Sequence, residues 1–172
     1  MLKGVLARIL LAGGVGLAAS LPLAASALAA GPPAVCTAGL TIFTTGVGTR
    51  TESGSVTHFR DSGVGGGYTS GFLAGYTISG GQDIMVNSRT QSSQLQGSFV
   101  ATSPTNPADT LTIEYTGQAD LTTGAATGHF RSAGGTGALA DLHWEGTIAA
   151  QQPVVGVPLF QATDSGPCHR SP

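Results

Sequence analysis

Two histidines, an arginine and a glutamate form the densest group of chemically active side chains in this chain of 172 residues. They are His129, Arg131, His143 and Glu145. Each pair is two positions apart, so its members share one face of a strand. An imidazole beside a carboxylate can transfer protons near neutral pH, but such residues are also typical of a solvated sheet face. We expect the solvated face, because Phe130 and Trp144 hold the alternate positions and are natural core residues.

A second set of residues is a candidate lining for an internal cavity. Its members are His58, Arg60, Tyr68, Tyr76 and Tyr115. His58 and Arg60 share a strand face with Val56, and this face is mixed enough in character to point inward. Aromatic walls with a few polar groups suit a small apolar ligand. The alternative is that these side chains simply fill the interior, and no residue is assigned a catalytic role.

The amino-terminal segment is typical of a secretory signal peptide. Lys3 and Arg8 precede an apolar stretch, residues 9–24, and Ala27-Leu28-Ala29 follows as a small-residue cleavage signal. We therefore predict a signal peptide over residues 1–29, cleaved near Ala29 or Ala30, and a single domain over residues 30–172. An uncleaved membrane anchor is the alternative. The predicted location is secreted or extracytoplasmic.

Charge and motifs exclude several classes of function. Without Lys3 and Arg8, five arginines, no lysine and nine acidic residues remain, a net charge of −4. A chain without a basic patch is not expected to bind nucleic acid or an anionic membrane. The sequence has no Gly-x-Ser-x-Gly, His-Glu-x-x-His or Cys-x-x-Cys motif and no calcium loop. We expect no cofactor and no metal.

The two cysteines, Cys36 and Cys168, are predicted to form a disulfide. They lie near the two ends of the predicted domain, and paired thiols are usual in an exported protein. A bridge across so long a loop stabilises the fold by up to about 5 kcal/mol in the chain-entropy treatment.

Apolar residues recur at every second position in short runs, which predicts eight to nine strands and almost no helix. The pattern predicts one long strand over residues 68–78, a hairpin turn at Gly80-Gly81, a loop over residues 103–107, and a strand over residues 110–121. After Phe160 we expect an irregular carboxy-terminal tail. The residues predicted to be buried are Leu111, Ile113, Tyr115, Phe130, Leu142, Trp144 and Ile148. This pattern favours an all-β barrel or sandwich.

The segments 110–113 and 130–148 resemble the allene oxide cyclase and dirigent barrel superfamily, as a secreted, bacterial-type member. The resemblance lies in a strand from Phe130, the turn Gly134-Gly135-Thr136-Gly137, and a second strand from Leu139 to Ile148. It implies an eight-stranded antiparallel β-barrel with a central cavity, often oligomeric, and a disulfide that ties its ends. It carries no catalytic residue across, since Arg60, Asp61 and Asp120 match the family's acidic pocket only loosely.

The sequence thus predicts an exported β-barrel that holds a small apolar ligand or serves as a stable structural barrel, with a homo-oligomer possible. The alternative is a cyclase, isomerase or dirigent-like protein that steers a reactive intermediate in the cavity. Ionisable groups that face inward, such as His58, Arg60 or Asp61, would favour the enzyme.

Overall fold

A computed structural model describes residues 34–155 and 157–171 of the chain. The predicted signal peptide, residues 1–29, lies outside the described residues. The described chain forms nine strands: β1 (Ala34–Gly46), β2 (Thr49–Ser53), β3 (Val56–Tyr68), β4 (Thr77–Asn87), β5 (Ser92–Thr102), β6 (Thr110–Asp120), β7 (Ala125–Gly135), β8 (Leu142–Gln151) and β9 (Leu159–Arg170). A single 3-10 turn, Gly137–Leu139, precedes β8. The predicted all-β fold is therefore confirmed. Within the described ranges, no helix is long and apolar enough to cross a membrane.

All nine strands belong to one antiparallel sheet, and its pairing returns on itself. From β2 to β9, each strand pairs with the next one in the chain. β1 then pairs with β9 on one side and with β3 on the other. Every strand except β2 therefore takes part in a closed ring, and β2 is attached to β3 alone.

The ring closes along the glycine-rich half of β3. The first half of β3 pairs with β2, whereas residues 63–68 pair with β1. Between these halves Asp61 adopts a positive φ of 55° and the register with β4 shifts. Gly66 has a φ of 148°, and a Cβ there would lie 2.0 Å from the carbonyl oxygen of Thr41. Only glycine permits this approach between the two backbones.

Three sequence-based predictions about the strands are wrong. The expected strand over residues 68–78 is interrupted, because residues 69–76 form a turn in which Gly71 and Gly75 have positive φ. Gly80 and Gly81 are not a hairpin turn but lie inside β4, paired with Phe99 and Ser98. The expected irregular tail is strand β9, which pairs with both β1 and β8. The apolar period is weak there because Asp164, Gly166 and Pro167 interrupt it.

One end of the ring is filled by packed side chains around Trp144. The Trp144 ring is 1% exposed and meets Phe130 and Phe72 edge to face, at centroid distances of 4.4 and 4.8 Å. The predicted core residues Leu111, Ile113, Phe130, Leu142 and Trp144 are all buried. Tyr115 and Ile148 are only partly buried, because both face a cavity at the other end.

The disulfide prediction is confirmed. Cys36 and Cys168 are bonded, with their Cα atoms 5.7 Å apart, and the bridge joins β1 to β9. Cys168 is paired in register with Trp144, so the bridge adjoins the packed end of the ring. Structural disulfides are typical of oxidising compartments outside the cytoplasm.

Candidate functional site

The interior of the ring holds a cavity of about 510 Å³ at the end away from Trp144. Its outer part is bordered by residues that include Phe43, Pro158 and Phe160. Its inner part is bordered by Leu40, Ile84, Leu95, Phe99, Tyr115, Ile148 and Asp164. Phe43 is 41% exposed and Pro158 is exposed, so the cavity reaches the surface between them. This volume and apolar lining are typical of a small-ligand pocket.

Asp164 is the one carboxylate on the cavity wall among the described residues. The strict alternation of β9 places Phe160, Ala162 and Asp164 on the same interior face. Asp164 is the innermost of these three and is only 1% exposed. Its Oδ2 accepts a 3.1 Å hydrogen bond from the hydroxyl of Tyr68, whereas its Oδ1 is buried with no hydrogen-bond partner in the described chain.

Burial changes the acid–base properties of this pair. Loss of solvation raises the pKa of Asp164 to about 7, and the hydrogen bond from Tyr68 opposes that rise only in part. Burial, and then the nearby Asp164 charge, raise the pKa of Tyr68 well above its usual value. Tyr68 therefore stays protonated and acts as the donor. Asp164 is divided between its charged and neutral forms near neutral pH, unlike an ordinary exposed aspartate.

A second polar group lies on another part of the wall and is internally satisfied. The Tyr115 hydroxyl donates a 2.8 Å hydrogen bond to Oε1 of Gln82, and the Gln82 amide nitrogen donates at 3.2 Å to the Thr44 hydroxyl. Burial raises the pKa of Tyr115, so its hydroxyl remains neutral. Gly97 provides the room for this group, because a Cβ there would lie 2.8 Å from the Tyr115 hydroxyl and from the Gln82 side chain.

The five residues predicted to line the cavity differ in where the structure places them. Tyr115 lines it, and Tyr68 is buried and reaches the wall through its bond to Asp164. Tyr76 is half-buried against the core and is not part of the cavity wall. The prediction for His58 and Arg60 is wrong, because Phe59 is the β3 residue that faces the cavity. Alternation then turns His58 and Arg60 to the outer face, where Arg60 is exposed.

The group of His129, Arg131, His143 and Glu145 lies on the outer surface, and all four residues are exposed. Arg131 forms an ion pair with Glu114 at 2.6 Å, and both side chains are largely solvated. The structure therefore confirms the solvated face that the alternation predicts. Asp61 and Asp120, the loose matches to an acidic pocket, are exposed as well. Hydrogen bonds from Thr122 and Thr123 lower the pKa of Asp120 and explain its place in a turn.

Sequence reasoning missed the two polar residues that matter most inside the cavity, Asp164 and Gln82. A charged or amide side chain is normally assigned to the surface. The available signal was spacing: Asp164 is four residues before Cys168 and four after Phe160, so it shares their face of β9. Gln82 lies two positions from Ile84 and four from Ile78, on the apolar face of β4.

No group of three or more His, Cys, Asp or Glu side chains is placed to hold a metal ion within residues 34–155 and 157–171. Comparison of the chain with protein-family models, with curated proteins and with solved structures finds no match.

Proposed function

We propose that this protein is an exported β-barrel that holds a small apolar molecule in its interior cavity. The observation that carries the proposal is the cavity itself, about 510 Å³ in volume and lined mainly by apolar side chains. A barrel with a purely structural role would be expected to fill this space, since protein interiors pack densely. Here only one end of the ring is filled, by Trp144 and its neighbours.

In this proposal the closed ring is an eight-stranded antiparallel barrel similar to those of allene oxide cyclase and dirigent proteins. The support is the pairing of β1 with β3, which leaves only β2 outside the ring. The glycine-rich segment Gly134–Gly137, on which the resemblance partly rests, spans the end of β7 and the start of the connection to β8. Export is supported by the Cys36–Cys168 disulfide and by the amino-terminal sequence pattern.

The test uses diphenylhexatriene, a hydrocarbon that fluoresces on entering an apolar site and has no polar group. We expect it to bind the purified mature protein with a fluorescence increase that saturates. Ala150 lines the cavity and Ala149 beside it is exposed on the outer face of β8. Ala150→Phe should weaken binding at least about tenfold by occupying the space, whereas Ala149→Phe should leave it unchanged.

Absence of saturable binding would overturn this function, and so would an Ala150→Phe protein that is folded and still binds like wild type. If Ala150→Phe does not fold, Ala126→Leu narrows the same cavity with a smaller change. Circular dichroism and the cooperativity of thermal unfolding establish which variants are folded.

A second candidate function, proton transfer in a cyclase or isomerase, is favoured by Asp164 alone. A desolvated carboxyl with a pKa of about 7 is a suitable general base. The probe is 5-nitrobenzisoxazole, from which a base removes the ring C–H proton while the N–O bond breaks to release a phenoxide. The candidate predicts a rate that rises with pH through about 7 and is lost in Asp164→Asn. Equal rates for wild type and this variant would reject it.

A further inference from the structure

We infer that the ligand of this cavity carries one hydrogen-bond donor, a hydroxyl or a primary amine, at the end of an otherwise apolar body, and that Oδ1 of Asp164 accepts that hydrogen bond at the inner end of the cavity. This inference rests on the proposed function, since it specifies the chemistry of the ligand. It assigns to Asp164 a role in recognition that does not require catalysis.

The first argument is that the two carboxylate oxygens of Asp164 differ in their hydrogen bonding. Oδ2 accepts from Tyr68, but Oδ1 has no partner among the described residues. A buried carboxylate oxygen without a partner is costly, and a donor supplied by a ligand removes that cost. Trp144 Nε1 is also buried without a hydrogen-bond partner, yet Trp144 does not border the cavity. Of these unpartnered groups, Asp164 is the one whose residue borders the cavity.

The second argument concerns the polar pair of Gln82 and Tyr115 on the wall, and the absence of a cation there among the described residues. The Gln82 oxygen already accepts from Tyr115, and its amide already donates to Thr44. Among the described wall residues there is no Lys, Arg or His that could neutralise Asp164. A hydrogen-bond donor for Oδ1 of Asp164 must therefore come from the ligand, either as a neutral group or as an ammonium group.

The third argument is position. Counted along β9 from the mouth, the wall residues are Phe160, Ala162 and then Asp164, and the residues beyond Asp164 on this face do not border the cavity. The walls between mouth and Asp164 are largely apolar. A ligand with its donor at Asp164 therefore lies with its polar end innermost and its apolar body toward Phe43 and Phe160.

The experiment measures displacement of diphenylhexatriene at pH 8.5, where Asp164 is ionised and can only accept. The competitors are 1-octanol, octylamine and heptyl methyl ether, which is an isomer of 1-octanol without a donor. We expect 1-octanol, octylamine or both to bind about tenfold or more tightly than the ether. Preference for octylamine identifies an ammonium ligand, and preference for 1-octanol identifies a neutral hydroxyl. Binding of all three within about twofold overturns the inference.

Variants assign the preference to Asp164. Asp164→Leu should abolish the preference over the ether, whereas Ser93→Ala, which removes a buried polar group from the cavity wall near the mouth, should preserve it. If Asp164→Leu does not fold, Asp164→Asn removes the charge with little change in shape and should reduce the octylamine preference at least about fivefold. A folded Asp164→Leu protein that keeps the full preference, or a folded Asp164→Asn protein that keeps the full octylamine preference, overturns the inference. Saturable diphenylhexatriene binding without any preference rejects this inference alone, whereas no binding of the probe rejects the proposed function itself.

Discussion

The Tyr68 hydroxyl and the Asp164 carboxylate meet at 3.1 Å across 96 residues of sequence, and their hydrogen bond joins β3 to β9. Both strands pair with β1, one on each side, so the bond bridges the strand whose pairing closes the ring. It is a structural tie and also the inner boundary of the cavity, because Asp164 lines the wall. Stability and ligand recognition therefore depend on the same carboxylate.

Asp164 makes stability depend on pH in an unusual direction. Burial raises its pKa to about 7 in the folded protein, whereas an unfolded aspartate titrates near 3.8. Between these values the folded state binds the extra proton, so stability falls as pH rises from about 4 through 7. The loss amounts to at most about 4 kcal/mol.

Asp164→Asn removes this titration and keeps a group that can bond to Tyr68. We expect the variant to match wild type at pH 4 and to become progressively more stable than wild type as pH rises to 8. Urea unfolding at several pH values measures the free energy of unfolding of both proteins. The contributions of the other acidic residues are common to both and cancel in the difference between them. A constant difference across this range would mean that Asp164 titrates normally.

We predict that any side chain at position 97, in place of the hydrogen atom of Gly97, destabilises the fold. A Cβ at this position would lie 2.5 Å from the Gly81 carbonyl oxygen and would press on the Tyr115–Gln82 hydrogen bond. Gly97→Ala should lower the free energy of unfolding by about 1–3 kcal/mol. Gly46→Ala is the matched control, because nothing lies within 4 Å of a Cβ there, and it should be nearly neutral. Similar effects of both substitutions would contradict the packing described for Gly97.

Trp144 should dominate the packed end of the ring. It is 1% exposed and contacts the rings of Phe72 and Phe130. Trp144→Ala should cost about 3–5 kcal/mol. Trp144→Phe should cost distinctly less, since it retains a ring and removes a buried N–H that has no hydrogen-bond partner. Chemical denaturation measures both variants, and a loss below about 1 kcal/mol for Trp144→Ala would show that this end is not close-packed.

The Cys36–Cys168 bridge should be a major source of stability. It links positions 132 residues apart, and constraint of so long a loop in the unfolded chain contributes up to about 5 kcal/mol. The double variant Cys36→Ala/Cys168→Ala should unfold at a lower temperature than the oxidised protein. Wild type treated with a reductant should shift to the same extent, and the reductant should have no effect on the double variant. Equal stability of the oxidised and reduced forms would rule out this contribution.

The fold could be predicted from the sequence wherever large apolar side chains alternate. Leu111, Ile113, Phe130 and Trp144 lie on the buried faces that this period indicates. Prediction failed where the period is carried by glycine. Gly80 and Gly81 have no side chains to mark a face, yet both lie inside strand β4. Close contact between backbones selects glycine at Gly80, where a Cβ would lie 2.1 Å from the carbonyl oxygen of Ser98.

The candidate site was harder to predict, for a different physical reason. Tyr115 follows the alternation of Leu111 and Ile113, and this period puts its ring on the interior face of β6. The prediction for His58 and Arg60 is wrong, because the mixed face that they share with Val56 is not the face of β3 that lines the cavity. Phe59, on the opposite face, borders the cavity. Asp164 was missed because the cost of burying a carboxylate argues against it, and only the tertiary contact with Tyr68 offsets part of that cost.

The most direct measurement of the central claim is an NMR search for contacts between bound 1-octanol and protein labelled with ¹³C in its alanine methyl groups. Ala126, Ala150 and Ala162 line the cavity, whereas Ala149 lies on the outer face. The account predicts intermolecular nuclear Overhauser effects from the alkyl chain to the first three methyl groups and none to Ala149. Contacts confined to Ala149, or saturable binding with no contact to the cavity methyl groups, would contradict it.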